Sequence, residues 1–281
     1  MSFQKLDEMS WVEVENLNKD RAVIFVPIGP VEEHGPHLPL GTDFFAARDI
    51  AELAAHYVTQ QDDTVHAVVA PVIPVGCSQI TADFPGTISV RGTTLARLVV
   101  DICTALVRHG FRYIVISNHH LEPMHLKAIL AAIQEVSSHH DVSIIETASI
   151  IAYSGLPTEE TQKGLAMGLD MKREIHADVR ETSFVKYRYP DLIKGDVTQL
   201  PPVLIDIDDA IRKGCSTFKE MGAQEGYLGT PSKSTEEYGR LHLEEGARLT
   251  ADLALKLLHG EQIPEMNEKM KYVLDAHVTL D

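Results

Sequence analysis

Residues 21–43 read RAVIFVPIGPVEEHGPHLPLGTD, and the join inside this stretch decides the fold class. RAVIFVPIG (21–29) is a run of branched apolar residues without polar alternation, the pattern of a strand buried on both faces. The segment that follows, 27–43, carries four prolines and three glycines together with Glu32, Glu33, His34, His37 and Asp43. A strand that ends in a rigid turn rich in ligand-type side chains is what an α/β protein places at the carboxyl edge of its sheet. In an extended segment residues i and i+2 point the same way, so Glu32 and His34 can face one point.

Outward from this stretch the chain alternates. FFAARDIAELAAHYVTQ (44–60) reads as a helix with Asp43 close to its start, and HAVVAPVIPVG (66–76) as a second buried strand. TTLARLVVDICTALVRHG (93–110) keeps Leu95, Leu98, Val99, Ile102 and Leu106 at helical spacing, opened by a threonine and closed by Gly110. FRYIVIS (111–117) is a third strand, a helix starts near Pro123 and runs to about Ser138, and VSIIETA (142–148) is a fourth strand. This spacing predicts βαβ units around a mainly parallel sheet. Residues 154–200 read as loops and short elements, and PPVLIDIDD (201–209) as a further strand. Ser234 and Glu237 suggest a capping box for a C-terminal helix. No repeat or linker interrupts the chain, so residues 1–281 are expected to form one domain.

Composition narrows the function classes. Forty-one acids against 25 bases give a net charge of −16, which argues against nucleic acid or an anionic membrane as partner. The three cysteines, Cys77, Cys103 and Cys215, are odd in number and far apart, so a reducing, cytoplasmic compartment is expected rather than a disulfide framework. The N-terminus lacks the apolar stretch of a signal peptide, and no apolar run is long enough to span a membrane.

The strand ending at Ser117 delivers SNHHLEP, with His120 and Glu122 again at i and i+2. Glu32, His34, Asp43, His120 and Glu122 make two imidazoles and three carboxylates, a set suited to a pair of divalent ions such as Zn²⁺ or Mn²⁺, with Asp43 able to bridge. The alternative for either cluster alone is a solvated loop; their placement on matching strand ends favours the metal reading. HADVRETS (176–183) adds His176 as a candidate general acid or base and Glu181 as its orienting partner or a further metal ligand. His37 and His119, each beside a proposed ligand, are candidates to face substrate or to support the ligands. Cys77 and Ser78, in VGCSQ, also fall near the site; Cys77 reads as a small buried thiol. His56, His109, His139, His140 and His259 read as caps or exposed residues.

These motifs resemble those of the creatininase (creatinine amidohydrolase) family along most of the chain. PIGPVEEHGPHLPLGTD looks like the family's Glu-x-His-Gly-Pro-His-Leu-Pro signature with its following Asp, and FPGTISV (84–90), SNHHLE, HADVRETS and GYLGTPSKSTEEYG (226–239) match later blocks. The resemblance implies a three-layer αβα sandwich and a dinuclear site. One ion would lie on Glu32, Asp43 and His120 and the other on His34, Asp43 and Glu122, with zinc, manganese or iron as the metal. It implies His176 as catalytic histidine, Glu181 as an acid near the metals, and homo-oligomers, often hexamers. The expected activity is ring opening of a small cyclic amide, with Glu122 or Glu181 moving a proton. Two alternatives are C–C hydrolysis of an oxidised cyclic polyol, a diketone-like inosose, and a non-catalytic metal-binding scaffold. The chain departs from the family in having His119 where a glycine is usual and Leu121 where the family's namesake has an aromatic residue. Lys172 replaces a loop tryptophan, and Trp11 is the only tryptophan. Creatinine is therefore not the expected substrate, and Leu121, Ser78, Cys77, His37 and His119 are the candidate substrate contacts. Lys172 and Arg173 suggest a polar or anionic ligand.

Overall fold

A computed structural model describes residues 3–281. Its strands are β1 (Gln4–Lys5), β2 (Ala22–Ile28), β3 (His66–Val69), β4 (Tyr113–Asn118) and β5 (Ser143–Glu146). They pair in the order β1-β3-β2-β4-β5, every pair parallel. The helices are α1 (Trp11–Asn16), α2 (Thr42–Gln61), α3 (Gly92–Arg108), α4 (Pro123–His139), α5 (Thr147–Tyr153), α6 (Glu159–Ala166), α7 (Val179–Arg188), α8 (Ile207–Arg212), α9 (Phe218–Met221), α10 (Glu236–His259) and α11 (Glu268–His277).

The unbroken apolar run of β2 is explained by helices on both faces of the sheet. Ala22, Ile24, Val26 and Ile28 join Ile114 and Ile116 of β4 in a core against α3 and α4. Val23, Phe25 and Val115 point the other way, against Ala51, Ala54 and Ala55 of α2 and Ala247, Ala251 and Ala254 of α10. The result is a three-layer αβα sandwich. Alanines at helical spacing on both outer helices let α2 and α10 pack closely over the sheet. Truncating a buried isoleucine such as Ile24 or Ile114 to alanine would cost ~2–5 kcal/mol.

Several local expectations change. The strand read at 66–76 stops at Val69; Pro71 and Pro74 leave only bridge contacts at Ile73 and Gly76. The stretch 201–209 is not a strand: Val203 makes one bridge to Gly229, and Asp206 caps α8 by accepting from the Asp209 amide at 2.9 Å. The alternating Val203, Ile205 and Ile207 are partly buried against a small cluster around Phe218 rather than paired in the sheet. Helix α10 is capped by Thr235, whose hydroxyl accepts from Tyr238 N at 3.1 Å. A 3-10 turn begun by Pro231 uses Ser234 as its end, which moves the cap one residue on. Helix α3 opens after Arg91 without a side-chain cap. Among the described residues no helix is long and apolar enough to cross a membrane.

The chain leaves β2 towards β3 on one side and reaches β4 on the other, so the order reverses at the β2–β4 pair. Ile28 is in register with Asn118, and the segments after these two strands therefore leave the sheet side by side.

Candidate metal centre

Three elements converge beyond Ile28 and Asn118. The segment after β2 brings Glu32 and His34. The first turn of α2 brings Asp43, seated beside that segment because Gly29 has no side chain: a Cβ there would lie 2.9 Å from Phe44 N and 3.1 Å from Asp43 Cβ. The segment after β4 brings His119, His120 and Glu122. The amino end of α7 completes the set. Asp178 caps that helix by accepting from the amides of Arg180 (2.7 Å) and Glu181 (3.2 Å), which sets Glu181 in the first turn. Ala177, just before the cap, holds φ at +46°, a left-handed conformation uncommon for a residue with a Cβ.

Two groups of ligand atoms, each within 4.8 Å of one another, share Asp43: Glu32, Asp43 and His120, and His34, Asp43 and Glu181. A third group joins Glu32, His34 and His176. Glu122 and His119 belong to none of them. The Glu122 carboxylate accepts from the amides of Gln79 (3.1 Å) and Ile80 (3.3 Å), and burial pushes its carboxyl above the usual range. Glu181, on a different element, stands with His34 and Asp43 instead.

Hydrogen bonds on the outer side of each ring decide what faces inward. His34 Nδ1 lies 3.0 Å from the Glu32 carbonyl, and His120 Nε2 2.8 Å from the Cys77 carbonyl. A carbonyl only accepts, so those nitrogens carry the protons, and in the neutral rings His34 Nε2 and His120 Nδ1 are lone pairs. Yet these lone pairs face carboxylates. His34 Nε2 is 3.6 Å from Asp43 Oδ1 and 3.7 Å from Glu181 Oε2, and His120 Nδ1 is 3.0 Å from Glu32 Oε2 and 3.3 Å from Asp43 Oδ2. Glu32 Oε2, His34 Nε2 and Asp43 Oδ2 are buried without a hydrogen-bond partner. Lone pairs set against carboxylate oxygens repel unless a cation or a proton lies between them. Burial pulls the His34 imidazole down, but Asp43, Glu181 and Glu32 outweigh it and push it up to about 10. His120 is likewise raised, against its burial, by Glu32 and Asp43. These nitrogens and oxygens are the donor set of a borderline divalent ion.

His176 donates from Nε2 to the Glu33 carbonyl at 2.7 Å, and its ring lies 4.4 Å from that of His34. Burial and His34 lower its affinity for a proton, while Glu32, Glu33 and Glu181 raise it further, to about 9. His37 is buried, with Nε2 2.9 Å from the Thr182 hydroxyl and the ring edge-on to Tyr227, and burial with two neighbouring imidazoles draws it down to about 4. Burial pushes the Cys77 thiol up to about 12. Ser78 is buried with an unpartnered hydroxyl. Leu121 packs against the small cluster of Leu126, Met266 and Leu274. Lys172 is exposed, and Arg173 pairs with Asp170 at 3.6 Å.

Sequence reasoning missed four supporting residues. Thr81 donates to Glu32 Oε1 at 2.7 Å. His125 accepts the Cys77 amide at 3.3 Å and stands edge-on to His120. His242, in mid-α10, lies 2.8 Å from His119, and Glu160 lies 3.1 Å from His242. None sits in a local motif: Thr81 comes in on the loop between β3 and α3, and the other three through the packing of α4, α6 and α10.

A model of the creatinine amidohydrolase (creatininase) family matches residues 7–254. Over 250 residues the chain is 27% identical to the creatinine amidohydrolase of Pseudomonas putida, covering 84% of this chain and 90% of that protein. Over 97 residues it is 34% identical to the mycofactocin precursor peptide peptidase of Mycolicibacterium smegmatis, a match to 34% of this chain and 39% of that protein. Among solved structures, one described as creatininase with manganese shares the fold at a TM-score of 0.73 and 24% identity, covering 91% of this chain and 98% of that one.

Proposed function

The chain belongs to the creatininase family of metal-dependent hydrolases, and from that premise we propose that it hydrolyses the C–N bond of a small cyclic amide with two divalent ions. The observation that carries this reading is the pair of inward lone pairs. His34 and His120, each with its outer nitrogen tied to a carbonyl, face Glu32, Asp43 and Glu181. Glu32, Asp43 and His120 would hold one ion, and His34, Asp43 and Glu181 the other. Glu181 takes the place first expected for Glu122, whose carboxylate is turned to the 79–80 amides. Such ions, zinc or manganese with iron as a further choice, supply Lewis acidity and a water that ionises near neutral pH.

The rest of the chemistry falls to the chain. A C–O bond forms at the carbonyl carbon and the C–N bond breaks, while one proton of the water must reach the leaving nitrogen. Glu122, buried and with a raised carboxyl, is the carrier that can take up that proton. His176 is the donor to nitrogen: Nε2 stays on the Glu33 carbonyl, so Nδ1 gives up the proton and the ring becomes neutral. The proton taken up by Glu122 is then released through solvent as His176 is reprotonated, which closes the cycle. Ser78, whose buried hydroxyl has no partner, is assigned to a polar atom of the substrate. The enzyme is read as one domain, cytoplasmic and homo-oligomeric, with the hexamer as the family's expectation.

The test is metal content per subunit on protein purified without chelators, with turnover on cyclic amides, cyclic 1,3-diketones and short peptides. Two ions per subunit and hydrolysis of cyclic amides support the reading. Turnover confined to diketones would move the reaction to C–C cleavage, and turnover confined to peptides would align it with the mycobacterial peptidase. One ion or none, unrestored by added Zn²⁺ or Mn²⁺, refutes the dinuclear site.

A further inference from the structure

We propose that His119 is a fourth protein ligand to the second ion, beside His34, Asp43 and Glu181, and that His242 and Glu160 hold it in that role. This rests on the dinuclear reading above. The His119 side chain is only 10% exposed, and its Nδ1 is buried without a hydrogen-bond partner, 3.6 Å from Asp43 Oδ1 and 3.9 Å from Glu181 Oε1. The opposite nitrogen, Nε2, lies 2.8 Å from His242 Nε2, and His242 Nδ1 lies 3.1 Å from Glu160 Oε2.

This chain of contacts places the protons. Glu160, also 3.9 Å from Arg180 Nε, is a carboxylate that only accepts, so His242 carries its proton on Nδ1. With both rings neutral, the state in which His119 can hold a cation, His242 accepts at Nε2 and His119 donates from its own Nε2. What remains on His119 is a lone pair at Nδ1, aimed at two carboxylates. That is the arrangement of His34 and His120 again, with an imidazole–carboxylate pair in place of a backbone carbonyl. A metal ligand held through its second nitrogen by a carboxylate-backed partner is the usual way a protein fixes tautomer and ring orientation.

The distances come close to those of a bound ion, with His119 standing slightly outside the mutually close ligand groups. Ligand atoms at about 2.0–2.2 Å from a tetrahedral ion lie about 3.3–3.6 Å apart. Asp43 Oδ1 is 3.6 Å from both His34 Nε2 and His119 Nδ1, within that spacing. Glu181 Oε2 is 3.7 Å from His34 and Glu181 Oε1 3.9 Å from His119, so Glu181 has to draw in by a few tenths of an ångström when the ion binds. The second ion would then have two imidazoles and two carboxylates, and the first one imidazole and two carboxylates. The richer nitrogen set makes the second position the tighter and more zinc-preferring of the two.

The experiment is a titration of metal-free protein with Zn²⁺ and with Co²⁺, comparing the parent with His119→Ala and Glu160→Gln. X-ray absorption of the zinc-loaded parent counts imidazoles without any substitution. The expected result is two ions in the parent with unequal affinity and three imidazoles over the two. His119→Ala should loosen the tighter ion by about 100-fold or more. Glu160→Gln should loosen it by about 10–100-fold and shift the Co²⁺ absorption bands. A parent that binds two ions while His119→Ala leaves both affinities and the Co²⁺ spectrum unchanged overturns the proposal and leaves the dinuclear enzyme standing. A parent that binds fewer than two ions overturns both.

Discussion

Metal affinity at this site should rise steeply with pH, because protons and cations compete for the same inward lone pairs. In the metal-free protein the carboxylates hold a proton on His34 up to about pH 10 and raise His120 as well. Each ion must displace one such proton, so the logarithm of its binding constant should climb by about one per pH unit between pH 7 and 9. At pH 7.5 the His34 proton alone stands about 2.5 decades in the way, a ~300-fold loss of apparent affinity relative to the deprotonated site. The same proton has a stability signature. A folded-state value above the unfolded one near 6.5 stabilises the fold fully below pH 6.5, and this contribution is lost as pH rises towards 10. Chelated protein should therefore lose thermal stability across that window, while metal-loaded protein should not. The assay is competition with a chromophoric chelator at several pH values, plus calorimetric titration in buffers of different ionisation heat to count released protons. Affinity flat between pH 7 and 9, with no proton release, would refute the lone-pair argument.

Replacing His176 with alanine should lower kcat by ~10²–10⁴ while leaving metal content unchanged; loss of metal with unchanged turnover per bound ion would make it a ligand instead. Thr81→Val removes the hydroxyl that Glu32 Oε1 accepts at 2.7 Å and should weaken the ion on Glu32 and His120 by ~10–100-fold without unfolding the chain, as read by metal titration and circular dichroism. Gly226→Ala should cost stability, because φ is +72° there and a Cβ would lie 2.1 Å from Glu33 Oε2. The expected loss is ~1–3 kcal/mol from backbone strain alone, with a fall in kcat as Glu33 moves under His176; an unchanged melting temperature and kcat would sink that account.

The sheet was legible because its signal is local. The branched residues of 21–29 and 111–117 bury both faces of adjacent parallel strands, and that pattern needs no knowledge of the rest of the chain. The pairing of Glu32 with His34 was legible for the same reason, since neighbours two apart in extended backbone share a direction. Where local pattern had to compete with packing, it failed: 201–209 alternates like a strand, yet a capping aspartate at 206 makes its second half a helix. Chain geometry alone could also not show that Glu122 would turn to the 79–80 amides while Glu181 came up beside Asp43. Residues 43 and 181 are brought together only by the docking of α7 beside α2 and α10. The His119–His242–Glu160 line is the extreme case, with three residues on the β4–α4 segment, α10 and α6 that share no motif. Ligand types near strand ends were thus determined by the sequence itself, through periodicity and turn chemistry. Which nitrogen carries a proton, and which carboxylate faces which lone pair, was decided by tertiary packing, because hydrogen-bond partners far apart in the chain set the tautomer of each ring.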